Sequence, residues 1–212
     1  AMPFDSTIRP MVGGIILAAG ASSRMGRAKA LLPSGDGRTF LECLASGFSE
    51  AGLDPLLVVA GSHADEIAAL VRAKSLPLHL VVNPRPERGQ LSSLVAGLDA
   101  LAGRAIDAVL VTPVDHPLVS PATVRRVVDA WRESGALVVR PERSGRHGHP
   151  VVFAAALFDE LRHADLSVGA RAVIARHSAE VLDVPVGEPG AFEDIDTPDD
   201  YRRLVGQALP PR

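Results

Sequence analysis

Only one cysteine, Cys43, occurs in the 212-residue chain, so neither an intrachain disulfide nor a cysteine-rich metal site can form. Its position in an amphipathic stretch points to a packed thiol, not a nucleophile. Aromatic residues supply only 4% of the chain, so the core must be built from Leu, Val, Ile and Ala. There is no basic excess: the formal net charge is −3, which argues against a nucleic-acid-binding surface as the main activity. No uninterrupted apolar run approaches the roughly 18 residues needed to span a bilayer. Residues 1–10 lack the basic start and apolar block of a signal peptide. They are expected to be a tail beginning with a tag remnant, Ala1-Met2, and the location is expected to be cytoplasmic.

What is present is an ordinary globular composition, 47% apolar and 22% charged. Residues 11–208 read as one domain, without repeats or a linker. Short, nearly continuous apolar runs at Val12–Ala19, Pro55–Ala60, Leu78–Asn83 and Ile106–Thr112 have the character of strands buried on both faces. Amphipathic helices lie between them. Thr39 is placed to cap Phe40–Ala51, Ser62 with Asp65 to cap the next helix, and Ser120-Pro121 to open a third. Leu91, Leu94, Val95 and Leu98 form a helical stripe within Gly89–Leu101. This alternation predicts a parallel sheet whose ligands gather at strand carboxyl ends, near a switch in strand order. Further strands are expected at Ala136–Pro141, Val151–Ala154 and Ala179–Val186, and Thr197-Pro198 should open a last helix.

Two loops therefore draw attention. After the first strand, Gly20-Ala21-Ser22-Ser23-Arg24-Met25-Gly26-Arg27-Ala28-Lys29 combines small residues with positive charge. Such a stretch lets backbone amides approach an anion and adds cations to balance it. It lacks the closing Gly-Lys-Ser/Thr of a P-loop and the spacing of a dinucleotide fingerprint. After the fourth strand, Thr112-Pro113-Val114-Asp115-His116-Pro117 puts a carboxylate where it could either hold Mg²⁺ or cap a turn. Two further acids, Asp194 and Asp196, precede the last helix as metal ligands or as a charged helix start. The loop Gly145-Arg146-His147-Gly148-His149-Pro150 offers two histidines, too few for a tetrahedral zinc site, and with Arg140 and Arg143 it suits an anionic acceptor better.

The gapless pattern Leu17-Ala18-Ala19-Gly20-x-Ser22-x-Arg24-Met25-Gly26-x-x-Lys29, followed by Leu31-Leu32-Pro33, resembles the signature of nucleotidyltransferases with a Rossmann-like core. Within that group it is most similar to the molybdenum-cofactor cytidylyltransferases and their relatives. The resemblance implies a three-layer αβα sandwich with a mostly parallel central sheet, of the nucleotide-diphospho-sugar transferase type. It also implies that Leu17, Ala18, Ala19, Gly20, Ser22, Arg24, Met25, Gly26 and Lys29 bind the triphosphate, with Arg24, Lys29 and Asp115 catalytic. Asn83, Gly89, Gln90 and Ser93 are implied to recognise base and ribose. Asp115 and Asp196, the latter over Asp194, are implied to hold Mg²⁺, and His116, Arg146, Gly148, His149 and Pro150 to face the acceptor. The expected reaction moves a nucleoside monophosphate, CMP from CTP in preference to GMP from GTP, onto a molybdopterin-like phosphate and releases pyrophosphate. A molybdoenzyme or its chaperone is the implied protein partner, with neither nucleic acid nor membrane involved. The competing readings are a sugar- or polyol-phosphate nucleotidyltransferase and a non-catalytic molybdenum-cofactor carrier.

Overall fold

The computed structural model describes residues 10–22 and 25–210. Its strands are β1 (Val12–Ala18), β2 (Leu56–Ala60), β3 (His79–Val82), β4 (Ala108–Pro113), β5 (Val138–Arg143), β6 (Arg146–His147), β7 (Val151–Ala154) and β8 (Val181–Pro185). The α-helices are α1 (Phe40–Glu50), α2 (Ala64–Ala73), α3 (Gln90–Ala100), α4 (Pro121–Ser134), α5 (Phe158–His163), α6 (Ala170–Arg176) and α7 (Pro198–Val205).

All the strands join one sheet in the order β3-β2-β1-β4-β7-β5-β6, with β8 beside β5. β3, β2, β1 and β4 are parallel. β7 is inserted antiparallel between β4 and β5, and β8 runs parallel to β5. The expected alternation of strand and helix thus holds through β4 and then gives way to a mixed half. A strand and its neighbour in sequence carry no local mark of which will be inserted between which. The stretch read as a basic loop contains β6, which folds back on β5 through Glu142 and Arg143.

The sheet is covered on both faces because successive side chains alternate across it. Ile16, Val58, Leu110 and Val152 face one core with α1 and α4, whereas Ile15, Val59, Val109 and Phe153 face a second core with α3 and α5. Leu91, Leu94 and Leu98 of α3 are buried in that second core, each contributing roughly 1.5–3 kcal/mol by leaving water. A Cβ on Gly14 would lie 2.6 Å from the Phe48 ring, so α1 can pack this closely only over glycine.

Two local expectations are corrected. β3 is an edge strand, not one buried on both faces, and Val82 is 53% exposed. The α2 cap is not Ser62: the helix starts after His63, which makes no side-chain cap bond and instead pairs through Nδ1 with Glu66 at 2.9 Å. The other starts follow the sequence. Thr39 and Glu42 form a capping box, Ser120 accepts from the Thr123 amide, and Thr197 forms a capping box with Asp200.

Strand order reverses between β1 and β4: the chain leaves β1 toward β2 on one side and returns to β4 on the other. The loops after these strands consequently diverge and leave a cleft, where the two loops singled out above are found.

Candidate active site

The phosphate-type loop leaves β1 at Ala18 and is pinned at its far end. Met25 is buried, and the amides of Met25 and Gly26 both donate to the Ser22 carbonyl, at 2.9 and 3.0 Å. Ser22 has φ +49° and Gly26 φ +70°, the left-handed conformations that turn the chain back on itself. The Lys29 amide donates to Ser22 Oγ at 3.3 Å, closing the loop as a short 3-10 turn begins. Arg24 lies outside the described residues.

Lys29 reaches from this turn across the cleft. Its Nζ donates to Asp115 Oδ2 at 3.1 Å and to Asp196 Oδ1. Asp115 sits just beyond β4, and its carbonyl accepts from the Ile195 amide at 2.8 Å, which lays the 194–196 segment against the β4 loop. The Tyr201 hydroxyl of α7 donates to the Pro33 carbonyl at 2.7 Å and ties the same segment to the chain after Lys29. Ile195 is buried, so its neighbours point elsewhere: Asp196 lines the cleft, whereas Asp194 is exposed and does not.

The cleft encloses about 360 Å³. Leu17, Ala18, Ala19, Gly20 and Ser22 line it from the loop, and Gly89, Gln90 and Ser93 from the start of α3. Asn83, expected to read the base, is buried outside this lining. Its Nδ2 donates to Ser92 Oγ and Ser93 Oγ at 2.9 and 3.0 Å, and its Oδ1 accepts from the Arg85 amide at 2.9 Å. A side chain so committed positions the entry to α3, leaving Gly89, Gln90 and Ser93 to line the cleft. Met25 and Gly26 likewise shape the loop from behind, because neither lines the cleft.

A larger cavity of about 790 Å³ adjoins the cleft, sharing Leu17 and Gln90 with it. Leu94, Val111, Val151, Phe153 and Ile174 make an apolar wall, and His149 and Gly148 border it. Of its charged rim, the sequence marked Arg140 and His147 but not Asp183 or Arg171. Arg140 Nε donates to Asp183 Oδ1 at 2.7 Å, and Arg140 also contacts His147 Nε2 at 3.0 Å. The parallel register of β5 and β8 sets Arg140 opposite Asp183, a pairing of residues 43 apart that no local pattern announces. Burial opposes ionisation of Asp183, but the Arg140 hydrogen bond and charge outweigh it and hold the carboxyl below its usual range. Arg171 and residues 166–170 complete the rim, again without a sequence signal beyond Gly169.

The acceptor-side residues named from sequence separate into two groups. Gly148 and His149 border the cavity; His116, Arg146 and Pro150 do not. The Arg146 guanidinium is occupied instead by the Phe192 carbonyl at 3.1 Å and fastens the β5–β6 hairpin to residues 190–192. That contact is close throughout, since a Cβ on Gly148 would lie 2.2 Å from the Ala191 carbonyl oxygen. His116 is buried, and its ring lies 4.7 Å from that of His149. Burial lowers the pKa of both, and His149, further discouraged by His116, is pushed down to about 3. His116 thus touches both sides, its Nε2 lying 3.8 Å from Asp115 Oδ1 and its ring against His149, which borders the larger cavity. Cys43 is half-buried, and burial raises its thiol pKa, so it is no nucleophile. No helix among the described residues is long and apolar enough to cross a membrane.

Lys29 also tests the site for a metal ion. Two carboxylates already converge on one cation, and no third His, Cys, Asp or Glu joins them among the described residues. That donor set fits a hard divalent cation that completes its shell with water and phosphate oxygens.

Known proteins resemble this chain in sequence and fold. The model of the MobA-like NTP transferase domain family matches residues 14–181. The chain is 33% identical over 203 residues to nicotine blue oxidoreductase of Paenarthrobacter nicotinovorans, covering 92% of this chain and 97% of that protein. It is 31% identical over 212 residues to molybdenum cofactor guanylyltransferase of Rhizobium meliloti (strain 1021), covering 95% and 92%. The crystal structure of Rv0371c from Mycobacterium tuberculosis H37Rv in complex with manganese superposes with a TM-score of 0.73 at 27% identity, covering 93% of this chain and all of that one.

Proposed function

Because this chain belongs to the MobA-like NTP transferase domain family and is an enzyme of nucleotidyltransferase type, we propose that it transfers a nucleoside monophosphate from GTP to a phosphate-bearing, molybdopterin-type acceptor. The observation that carries this reading is the meeting of Lys29, Asp115 and Asp196 at the mouth of the small-residue loop, beside a second cavity large enough for another substrate. GTP replaces the CTP implied by the sequence resemblance because the Rhizobium relative is named a guanylyltransferase.

In this mechanism the triphosphate lies along Ala19–Ser22, whose small side chains let the backbone approach the phosphates. The acceptor phosphate, already ionised near neutral pH, attacks the α-phosphate in line, and pyrophosphate leaves. No covalent enzyme intermediate or strong general base is needed, because positioning and charge neutralisation carry such transfers. Lys29 neutralises charge on the departing pyrophosphate. Asp115 and Asp196 would hold a divalent cation, Mg²⁺ or Mn²⁺, that supplies Lewis-acid stabilisation of the phosphoryl oxygens; the manganese-bound mycobacterial structure supports this choice. The apolar wall of the larger cavity takes the acceptor's ring system, and Arg140 and Arg171 take its anionic substituents.

The likeness to nicotine blue oxidoreductase favours a second reading, in which the same cleft holds a redox nucleotide and the apolar cavity a flat aromatic substrate. One panel separates the two. Pyrophosphate release is measured with GTP, CTP and ATP, each with Mg²⁺ or Mn²⁺ and with molybdopterin or sugar phosphates, alongside oxidation of NADH and NADPH by aromatic acceptors. Release with GTP and molybdopterin is expected. Nicotinamide oxidation without pyrophosphate release would replace the transferase reading.

A further inference from the structure

We propose that Lys29 is a place-holding cation, its ammonium occupying in the nucleotide-free enzyme the position between Asp115 and Asp196 that the divalent cation later takes. The inference rests on the metal-dependent transferase reading and adds to it an order of assembly: metal and triphosphate each open the site to the other.

Geometry makes the competition direct. The ammonium uses one oxygen of each carboxylate, Asp115 Oδ2 and Asp196 Oδ1, and among the described residues these are the acidic side chains that line the cleft. A divalent ion seated between the same carboxylates would stand within a few ångströms of Nζ, where like charges repel strongly in a partly dry cleft. The Lys29 side chain is 12% exposed, so solvent does little to screen that repulsion.

The lysine has somewhere else to go. Its backbone is held to Ser22 Oγ, so its four-carbon stem starts from the loop that lines the cleft for phosphates. Rotation about that stem carries the ammonium from the carboxylates to a bound triphosphate without moving the fold. The same triphosphate offers the metal the oxygen ligands that two carboxylates cannot supply. Nucleotide therefore removes the competitor and completes the shell in one event. By linkage, metal must raise nucleotide affinity by the same factor.

The test reads Mn²⁺ binding by electron paramagnetic resonance and calorimetry, with and without the non-hydrolysable α,β-methylene analogue of GTP. In the wild type, Mn²⁺ alone binds weakly and the analogue tightens it by about tenfold or more. In Lys29→Met, which keeps the stem and loses the charge, Mn²⁺ alone binds about tenfold tighter than in the wild type, and most of the enhancement by the analogue disappears. Lys29→Arg keeps the cation and stays weak for Mn²⁺ alone. Nucleotide-free Lys29→Met that is folded by circular dichroism yet binds Mn²⁺ no better than the wild type overturns the proposal. Should Lys29→Met not fold, Lys29→Gln serves by the same Mn²⁺ readout, and a folded Lys29→Gln that binds Mn²⁺ alone no better than the wild type overturns the proposal. Failure of every form to bind Mn²⁺, even with the analogue, removes the metal reading as well.

Discussion

Lys29 and Asp115, 86 residues apart in the chain, meet at 3.1 Å because the loops after β1 and β4 open onto the same end of adjacent parallel strands. The pair joins the small-residue loop after β1 to the carboxylate just beyond β4, and Asp196 joins it from a third segment 167 residues beyond Lys29.

Replacing Lys29 by Gln removes the charge opposite the leaving group. Pyrophosphate release with GTP and molybdopterin should fall by about 100-fold or more, the scale for losing one preorganised electrostatic contact. The partly exposed carboxylates can rehydrate, so the thermal midpoint should change little. Turnover within threefold of wild type would remove Lys29 from the reaction.

The two acids before α7 should behave differently. Asp196→Asn is expected to shift the metal titration of activity to about tenfold higher concentration. Asp194→Asn should leave that titration unchanged, because Asp194 is exposed and outside the cleft lining. An inverted result would reassign the second carboxylate.

Arginines near the acceptor cavity separate binding from scaffolding. Arg140→Gln should raise the acceptor KM more than the GTP KM, since Arg140 borders only the larger cavity. Arg146→Ala loses the bond to the Phe192 carbonyl and should cost about 1 kcal/mol of stability, read by urea denaturation. Equal effects of Arg140→Gln on both KM values would place it outside acceptor recognition.

The buried His149 predicts acid sensitivity. Its folded pKa, about 3, lies below the unfolded value of 6.5, so between these values the unfolded chain binds the extra proton. The stability associated with a neutral His149 is full above the unfolded pKa and is lost as pH falls through the window toward the folded one. Between pH 7 and pH 5 this amounts to about 2 kcal/mol from this residue. His149→Phe should flatten the denaturation free energy across that range, and an unchanged slope would show that the imidazole does not titrate on unfolding.

Much of this was present in local pattern. The alternation of short apolar runs with capped amphipathic stretches indicated an α/β sheet, and the segment Leu17 to Lys29 carried the family signature in itself. The caps at Thr39, Ser120 and Thr197 depend on neighbours within a few positions, so sequence suffices for them, Ser62 being the exception. Asn83 shows where such reading stops: the resemblance implied base contact, and in the fold its Nδ2 and Oδ1 make three hydrogen bonds within the protein, outside the cleft lining. Arg146 is a second case, its charge suggesting an acceptor contact and its folded partner being a backbone carbonyl.

What only the tertiary structure decided was which distant residues share a site. The antiparallel insertion of β7 between β4 and β5 brings His149 against His116, and the parallel pairing of β5 with β8 sets Arg140 against Asp183. Asp196 and not Asp194 belongs to the cluster because Asp196 lines the cleft and pairs with Lys29, whereas Asp194 is exposed outside that lining. Local sequence marked the small-residue loop because its described turns rest on their own neighbours, Ser22 bonding to Met25, Gly26 and Lys29. The acceptor cavity and the Lys29–Asp115–Asp196 cluster depend on strand order and long-range packing, which only the closed sheet specifies.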